Sequence, residues 1–113
     1  MQFQIDEEEC RQFQVAAELA GKKWTASILM AAARGAERFS DYRSMVAGVS
    51  DRLLSLRLRE LEREQLMIRT VIATTPVQVR YSLTPKGMEL IQGLHPLVQW
   101  GNRWGSKASP SRI

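Results

Sequence analysis

"SDRLLSLRLRELEREQL" runs from Ser50 to Leu66 and combines a leucine repeat with four arginines. In an α-helix successive residues are about 100° apart around the axis. Leu54, Leu58 and Leu61 then fall on one narrow apolar stripe, at the i, i+4, i+7 spacing of a helix with one buried side. Arg52, Arg59 and Arg63 share the opposite side, with Leu56 between them and Ser55 at the edge. Leu53 and Arg57 flank the apolar stripe. Ser50 suits the N-cap, because its hydroxyl can accept from a free backbone N–H. Asp51 in the first turn is favoured by the helix dipole. The stretch predicts a helix of about four turns with a core side and a cationic side. Taken alone, solvated arginines on an ordinary amphipathic helix fit this pattern equally well.

The flanking sequence narrows the choice. "ERFSDYRSMVAG" predicts a short helix with Ser40 as N-cap and Arg43 in its first turn, burying Tyr42, Met45 and Val46. "GVS" at 48–50 is then a tight turn into the arginine-bearing helix. Two helices joined by a glycine turn, the second amphipathic and basic, suggest a helix-turn-helix. Downstream, "LMIRTVIAT" at 66–74 is rich in β-branched residues and "VRYSL" at 79–83 alternates. With "TPVQ" between them they read as a β-hairpin. "TPKG" opens another helix, with Thr84 as N-cap and Pro85 at its first position.

Upstream, "CRQFQVAAELAG" places Phe13, Ala16, Ala17 and Ala20 at helical spacing. "KKWTASILMAAARG" places Trp24, Ile28 and Ala31 on one stripe and ends at Gly35. Three helices, a hairpin and a further helix form the element order of a winged helix-turn-helix: mainly α, with a small β-hairpin. The domain is read as residues 10–105, with dimerisation helices at both ends. Residues 1–9 form a polar lead-in, and residues 106–113, "SKASPSRI", a flexible tail.

Composition agrees with a folded domain: 113 residues, 44% apolar and 25% charged, enough for one modest core. Asp6, Glu7, Glu8 and Glu9 hold four of the twelve acidic groups. From Cys10 onward sixteen basic side chains face eight acidic ones, a balance of +8 that suits an anionic partner such as nucleic acid. No apolar run has the length of a membrane span, and the acidic N-terminus lacks the pattern of a secretory signal. The single cysteine suits a reducing cytoplasm. One histidine, His95, and one cysteine cannot build a zinc site, and no nucleophile–base pair appears. Neither catalysis nor a cofactor is expected.

In that order along the chain, "GKKWTASIL", "RFSDYRSMVAGVSDRLLSLRLRELEREQLMIRTV", "VRYSLTPKG" and "WG" at 104–105 resemble the HxlR-type family. These are bacterial winged helix-turn-helix transcriptional regulators related in fold to the MarR group. The resemblance spans roughly residues 11–105. It implies a homodimer on double-stranded operator DNA, with the second helix of the motif in the major groove and the hairpin as the flanking wing. Some relatives respond to oxidants or small molecules, so such an effector is implied as well. This chain departs from the family at several points. Cys10 is followed by arginine where relatives carry proline. Asp51, Leu56, Gln78 and Arg80 also replace more usual residue types, so the sequence read on DNA cannot be copied from relatives.

The candidate DNA-binding residues are Ser40 and Arg43 on the first helix of the motif, and Ser50, Asp51, Arg52, Ser55, Leu56 and Arg59 on the second. Gln78 and Arg80 join them from the wing, where alternation predicts an exposed Arg80. Arginine can fork onto guanine, and leucine can pack on a thymine methyl. Arg57, beside the core, fits a structural ion pair at least as well as a DNA contact. Cys10 is a candidate redox sensor. Three preceding glutamates disfavour its thiolate, whereas Arg11 and a helix N-terminus favour it, and an incidental cysteine is the reading preferred.

The last helix has two apolar sides, Ile91, Leu94 and Val98 on one, and Leu90, Leu97, Trp100 and Trp104 on the other. Two sides need two partners, and with Phe13 and Val15 of the first helix the second side predicts a subunit interface. Pro96 is expected to kink or break this helix. A rival function is a winged-helix module for protein–protein association. The near-neutral charge of residues 50–66 supports it, and the outward clustering of Arg52 and Arg59 opposes it.

Overall fold

The computed structural model describes residues 4–105. The elements are α1 (Glu7–Ala20), α2 (Thr25–Ala33), α3 (Phe39–Met45), α4 (Asp51–Arg63), β1 (Met67–Ile72), β2 (Gln78–Leu83) and α5 (Pro85–Trp104). The strands pair antiparallel, with Met67 opposite Leu83 and Ile72 opposite Gln78. The tail read at 106–113 lies outside the described residues.

The core forms where α2, α3, α4 and the hairpin meet. Ile28 and Leu29 of α2, Tyr42 of α3, the Leu54–Leu58–Leu61 stripe of α4, and Leu66 and Met67 at the hairpin start are essentially inaccessible to water. Ile91 closes it from α5. Two glycines permit the close approaches. Gly48, in the α3–α4 turn, has φ of 94°, and a Cβ there would lie 3.4 Å from the Trp24 ring. A Cβ on Gly87 would come within 2.1 Å of the Leu66 carbonyl oxygen, so only glycine lets α5 start against the hairpin.

Several expectations are corrected. α1 starts three residues before Cys10, because the Asp6 carboxylate caps the Glu9 N–H at 2.8 Å, so residues 7–9 belong to the helix rather than to a lead-in. Ser40 is not the cap of α3. The N-cap is Arg38, two residues earlier, and the Asp41 carboxylate accepts from the N–H groups of Glu37 (3.1 Å) and Arg38 (3.0 Å). Those two bonds, Arg38 first, hold the Asp41 carboxyl below the usual carboxylate range. Of the kink or break expected at Pro96, the break does not occur, since α5 continues through it. Proline removes one hydrogen bond, to the Gln92 carbonyl, and both residues sit at exposed positions where water can replace it. Ser50, Thr84 and Pro85 take the capping and first-turn positions read from sequence.

α1 and the far half of α5 stand apart from this core. No residue of α1 is buried. Phe13 is 72% exposed, Leu97 64%, Trp100 60% and Trp104 68%. Val98, placed with the buried side of α5, is also exposed, whereas Leu90 is half-buried against the chain's own core. Between α1, α2 and α5 lies an apolar groove of about 630 Å³, lined by Phe13, Ala17, Met30, Leu94, Leu97 and Val98.

Candidate nucleic-acid interface

α4 turns its arginines outward because its leucines are turned in. Arg52, Leu56 and Arg59 are exposed and Ser55 is half-exposed. Among the described residues Arg52 and Arg59 form no ion pair. The Ser50 hydroxyl accepts from Leu53 N–H at 3.1 Å, so its oxygen fixes the helix start. α3 packs beside this end of α4. Arg43 reaches across to Asp51 at 2.9 Å and lies over the Phe39 ring at 5.9 Å from its centre. Both partners of that ion pair are more than half exposed, a setting in which such pairs contribute about 0–1 kcal/mol and exchange readily for another anion. Ser40 is exposed on the same helix. The fold thus gathers Ser40, Arg43, Asp51, Arg52, Ser55, Leu56 and Arg59 on two adjacent helices.

Arg57, also on α4, behaves differently. Arg57 donates to the Lys23 carbonyl (2.9 Å) and pairs with Glu60 (3.1 Å), and Glu60 also meets Lys22 at 3.5 Å. Its side chain is mostly covered, and it ties α4 to the start of α2.

The wing does not present its two candidates as expected. Arg80 is half-buried, with Nη1 on Glu37 at 3.0 Å and Nη2 on the Gln78 amide oxygen at 3.3 Å. That same oxygen accepts from Arg38 at 3.0 Å. Strand alternation puts Gln78 and Arg80 on one face, but the α2–α3 loop covers that face, so the exposure inferred for Arg80 fails. Glu37, Arg38 and Asp41 were missed as contributors. Their signal was an aspartate at the third position of a helix whose preceding residues lack a capping side chain. Tyr42 was read only as core, yet its hydroxyl lies 2.9 Å from the Tyr81 carbonyl and 3.1 Å from that of Ala36. Burial, then the Asp41 and Glu37 carboxylates, push its phenol above the usual range.

Cys10 is exposed on α1, far along the chain from the helix-turn-helix. His95 is exposed on α5. Among the described residues no group of three or more His, Cys, Asp or Glu could hold a metal ion. Among them, too, no helix is long and apolar enough to cross a membrane.

The family described as HxlR-like helix-turn-helix matches residues 19–109, from the end of α1 through α5. This chain belongs to that family. The HxlR-like chain is 39% identical to the uncharacterized HTH-type transcriptional regulator YvaP of Bacillus subtilis, over 86% of this chain and 90% of that one. It is 32% identical to the HTH-type transcriptional regulator YodB of the same organism, over 84% and 85%. The crystal structure of diamide-treated YodB superimposes with a TM-score of 0.73 at 31% identity, covering 86% of this chain and 96% of that one. The redox regulator HypR in its oxidized form gives 0.75 at 29% identity, over 81% and 95%. The winged helix-turn-helix expected from sequence is therefore the fold present, and the chain is a DNA-binding transcriptional regulator rather than an enzyme.

Proposed function

We propose that the HxlR-like chain acts as a homodimer on operator DNA in the cytoplasm, with residues 10–105 as the working unit. α4 of each subunit enters a major groove, and Arg52, Ser55, Leu56 and Arg59 reach base edges or phosphates. The single observation that carries this reading is the α4 surface itself: two unpaired arginines flank a serine and a leucine, on the side opposite three buried leucines. Ser50 and Asp51 place the helix N-terminus at the groove, and Ser40 and Arg43 bring α3 against the phosphate backbone. Arg43 can leave Asp51 for phosphate at little cost, since their bond is solvent-screened.

The dimer is supported by the apolar surface that one chain leaves uncovered. Phe13 on α1 and Leu97, Trp100 and Trp104 on α5 form it, with Leu90 at its inner edge. Pairing across a two-fold axis covers the same patch on both subunits and sets two recognition helices about 34 Å apart.

The test is selection of duplexes from a random pool, followed by Arg59→Ala. Arg59 faces away from the core, so the variant should fold. It should lose about 1–3 kcal/mol of affinity for the selected duplex if the side chain reads a base. A folded variant with unchanged affinity for both selected and random duplexes would remove Arg59 from the interface.

An oxidant or electrophile is the effector class that the relatives support. YodB has been crystallised in diamide-treated and quinone-bound forms, and HypR in its oxidized form. In this sequence only Cys10 offers a thiol, so a disulfide formed by it must join two subunits or one subunit and a small thiol.

A further inference from the structure

The tip of the wing, beyond Arg69 on β1 and Arg80 on β2, has no charge of its own to hold it over DNA. From Val71 to Val79 the sequence is VIATTPVQV, without a single basic or acidic side chain. Its angle to α4 must therefore be set at its base. There the α2–α3 loop is bonded to β2 by backbone and side chain together. Tyr81 N–H donates to the Glu37 carbonyl at 2.7 Å. Arg80 spans Glu37 and Gln78, and Arg38 returns from the loop to the same Gln78 oxygen. Asp41 fixes the loop from beneath by accepting from Glu37 and Arg38 N–H. The Arg80 Nε is buried without a hydrogen-bond partner among the described residues. An arginine seated this way cannot extend toward a phosphate without abandoning two partners.

We infer that Arg80, Glu37 and Gln78 are positioning residues: they brace the wing against the helix-turn-helix and do not themselves contact DNA. The inference rests on the operator-binding reading of α4 for its DNA arm only. Each bond in the brace is partly exposed and weak alone. The members share one loop and one strand, so they act as a coupled set. A wing already held in its bound orientation has less freedom to lose on association.

Direct contact and bracing predict opposite results for an acidic residue. Removing a carboxylate from a surface close to phosphates strengthens binding if only charge matters. If Glu37 braces the wing, Glu37→Gln weakens it. The probe is a duplex selected by the wild-type protein from a random 30-base-pair pool, with an unselected duplex as reference. Arg80→Gln and Glu37→Gln are each expected to lower affinity for the selected duplex by roughly tenfold. The slope of log affinity against log salt should stay at its wild-type value. Loss of a phosphate contact would reduce that slope by about one. Glu37→Arg combined with Arg80→Glu should recover affinity, because the pair is restored with its charges exchanged. A shallower slope in Arg80→Gln, or tighter binding by Glu37→Gln, overturns the brace. Amide hydrogen exchange of the DNA-free protein tests it independently. Tyr81 N–H should exchange faster in Arg80→Gln while the amides of Leu58 and Leu61 keep their protection, and unchanged exchange at Tyr81 overturns it. If no duplex is enriched from the pool, the operator reading fails, and the exchange measurement still decides the brace.

Discussion

α4 and α1 are helices of nearly equal length, 13 and 14 residues, with opposite surroundings. α4 buries Leu54, Leu58 and Leu61 completely against its own chain, whereas α1 buries nothing and holds Phe13 and Val15 in water. α5 contains both conditions in one helix, buried at Gly87 and Ile91 and exposed from Leu97 to Trp104. The molecule is correspondingly long, 58 × 37 × 21 Å, with a radius of gyration of 16.1 Å. A compact chain of this length would have a radius of about 13 Å. One hydrophobic core is closed within the chain and a second is left half-built. The first makes the fold, and the second is the surface on which the proposed dimer rests.

The largest expected effect breaks the closed core. Leu58→Ala removes a fully buried side chain from the middle of α4, at a cost of about 2–5 kcal/mol in unfolding free energy. Denaturant titration measures it. The matching change in α1, Phe13→Ala, should leave the unfolding free energy at dilute concentration within about 0.5 kcal/mol of wild type, as for an exposed site. Equal losses at the two positions would erase the contrast between the helices.

Next is the half-built core. Trp100→Glu or Trp104→Glu should give a monomer, and operator affinity should fall although neither residue lies near α4. Covering each exposed aliphatic side chain of this patch contributes about 1.5–3 kcal/mol, and more for an indole. A carboxylate in its place would have to be buried without a partner. Sedimentation at micromolar concentration reads the outcome. Two variants that both remain dimers would show that this patch is not the subunit interface.

Much of this contrast was legible in the sequence, and the exceptions have physical causes. The three-leucine period gave the inner face of α4, and the β-branched run gave the hairpin, because periodicity reports which side is covered. Ser50 and Thr84 were legible as caps because a lone hydroxyl precedes an apolar run at each. The α3 start was not, because its cap runs backward from Asp41 rather than forward from Ser40. Arg80 was misplaced because alternation assigns a face to a side chain but not what lies over that face. Whether Glu37 and Arg38 reach the wing depends on a loop 43 residues away from Arg80 in sequence. The two apolar sides of α5 were legible as a pattern, though Leu90 packs inward and Val98 outward.

A smaller effect comes from how helices start in the two regions. Asp41 anchors α3 and the loop beneath the wing, and its carboxyl is held below its ordinary value of 3.8. A lowered folded value means that the charged form stabilises the native state. That contribution is present in full above the unfolded value and is lost as pH falls through the lower folded one. Asp41→Asn should therefore differ from wild type in stability at neutral pH, and the difference should shrink as pH falls below the ordinary carboxylate value and vanish below the folded one. Parallel stability curves down through that range would mean that the carboxylate charge has no part in anchoring the loop.

The smallest effect is expected at Cys10. It lies in the first turns of α1, exposed, on the half-built side of the molecule and away from every residue assigned to DNA. Under reducing conditions Cys10→Ser exchanges one small exposed side chain for another, so operator affinity should stay within about twofold of wild type, the usual range for such surface changes. The informative comparison comes after mild oxidation. Glu7, Glu8 and Glu9 precede the thiol, and Phe13 stands one turn further along the same helix. Cys10 is the one cysteine of the sequence and lies away from the residues assigned to DNA, so wild type and variant are expected to respond alike. If wild type loses operator affinity on oxidation and the serine variant keeps it, the thiol is the sensor. The uncovered helix would then carry the regulatory signal as well as the subunit contact, because a bond formed at Cys10 would lie on the same helix as Phe13.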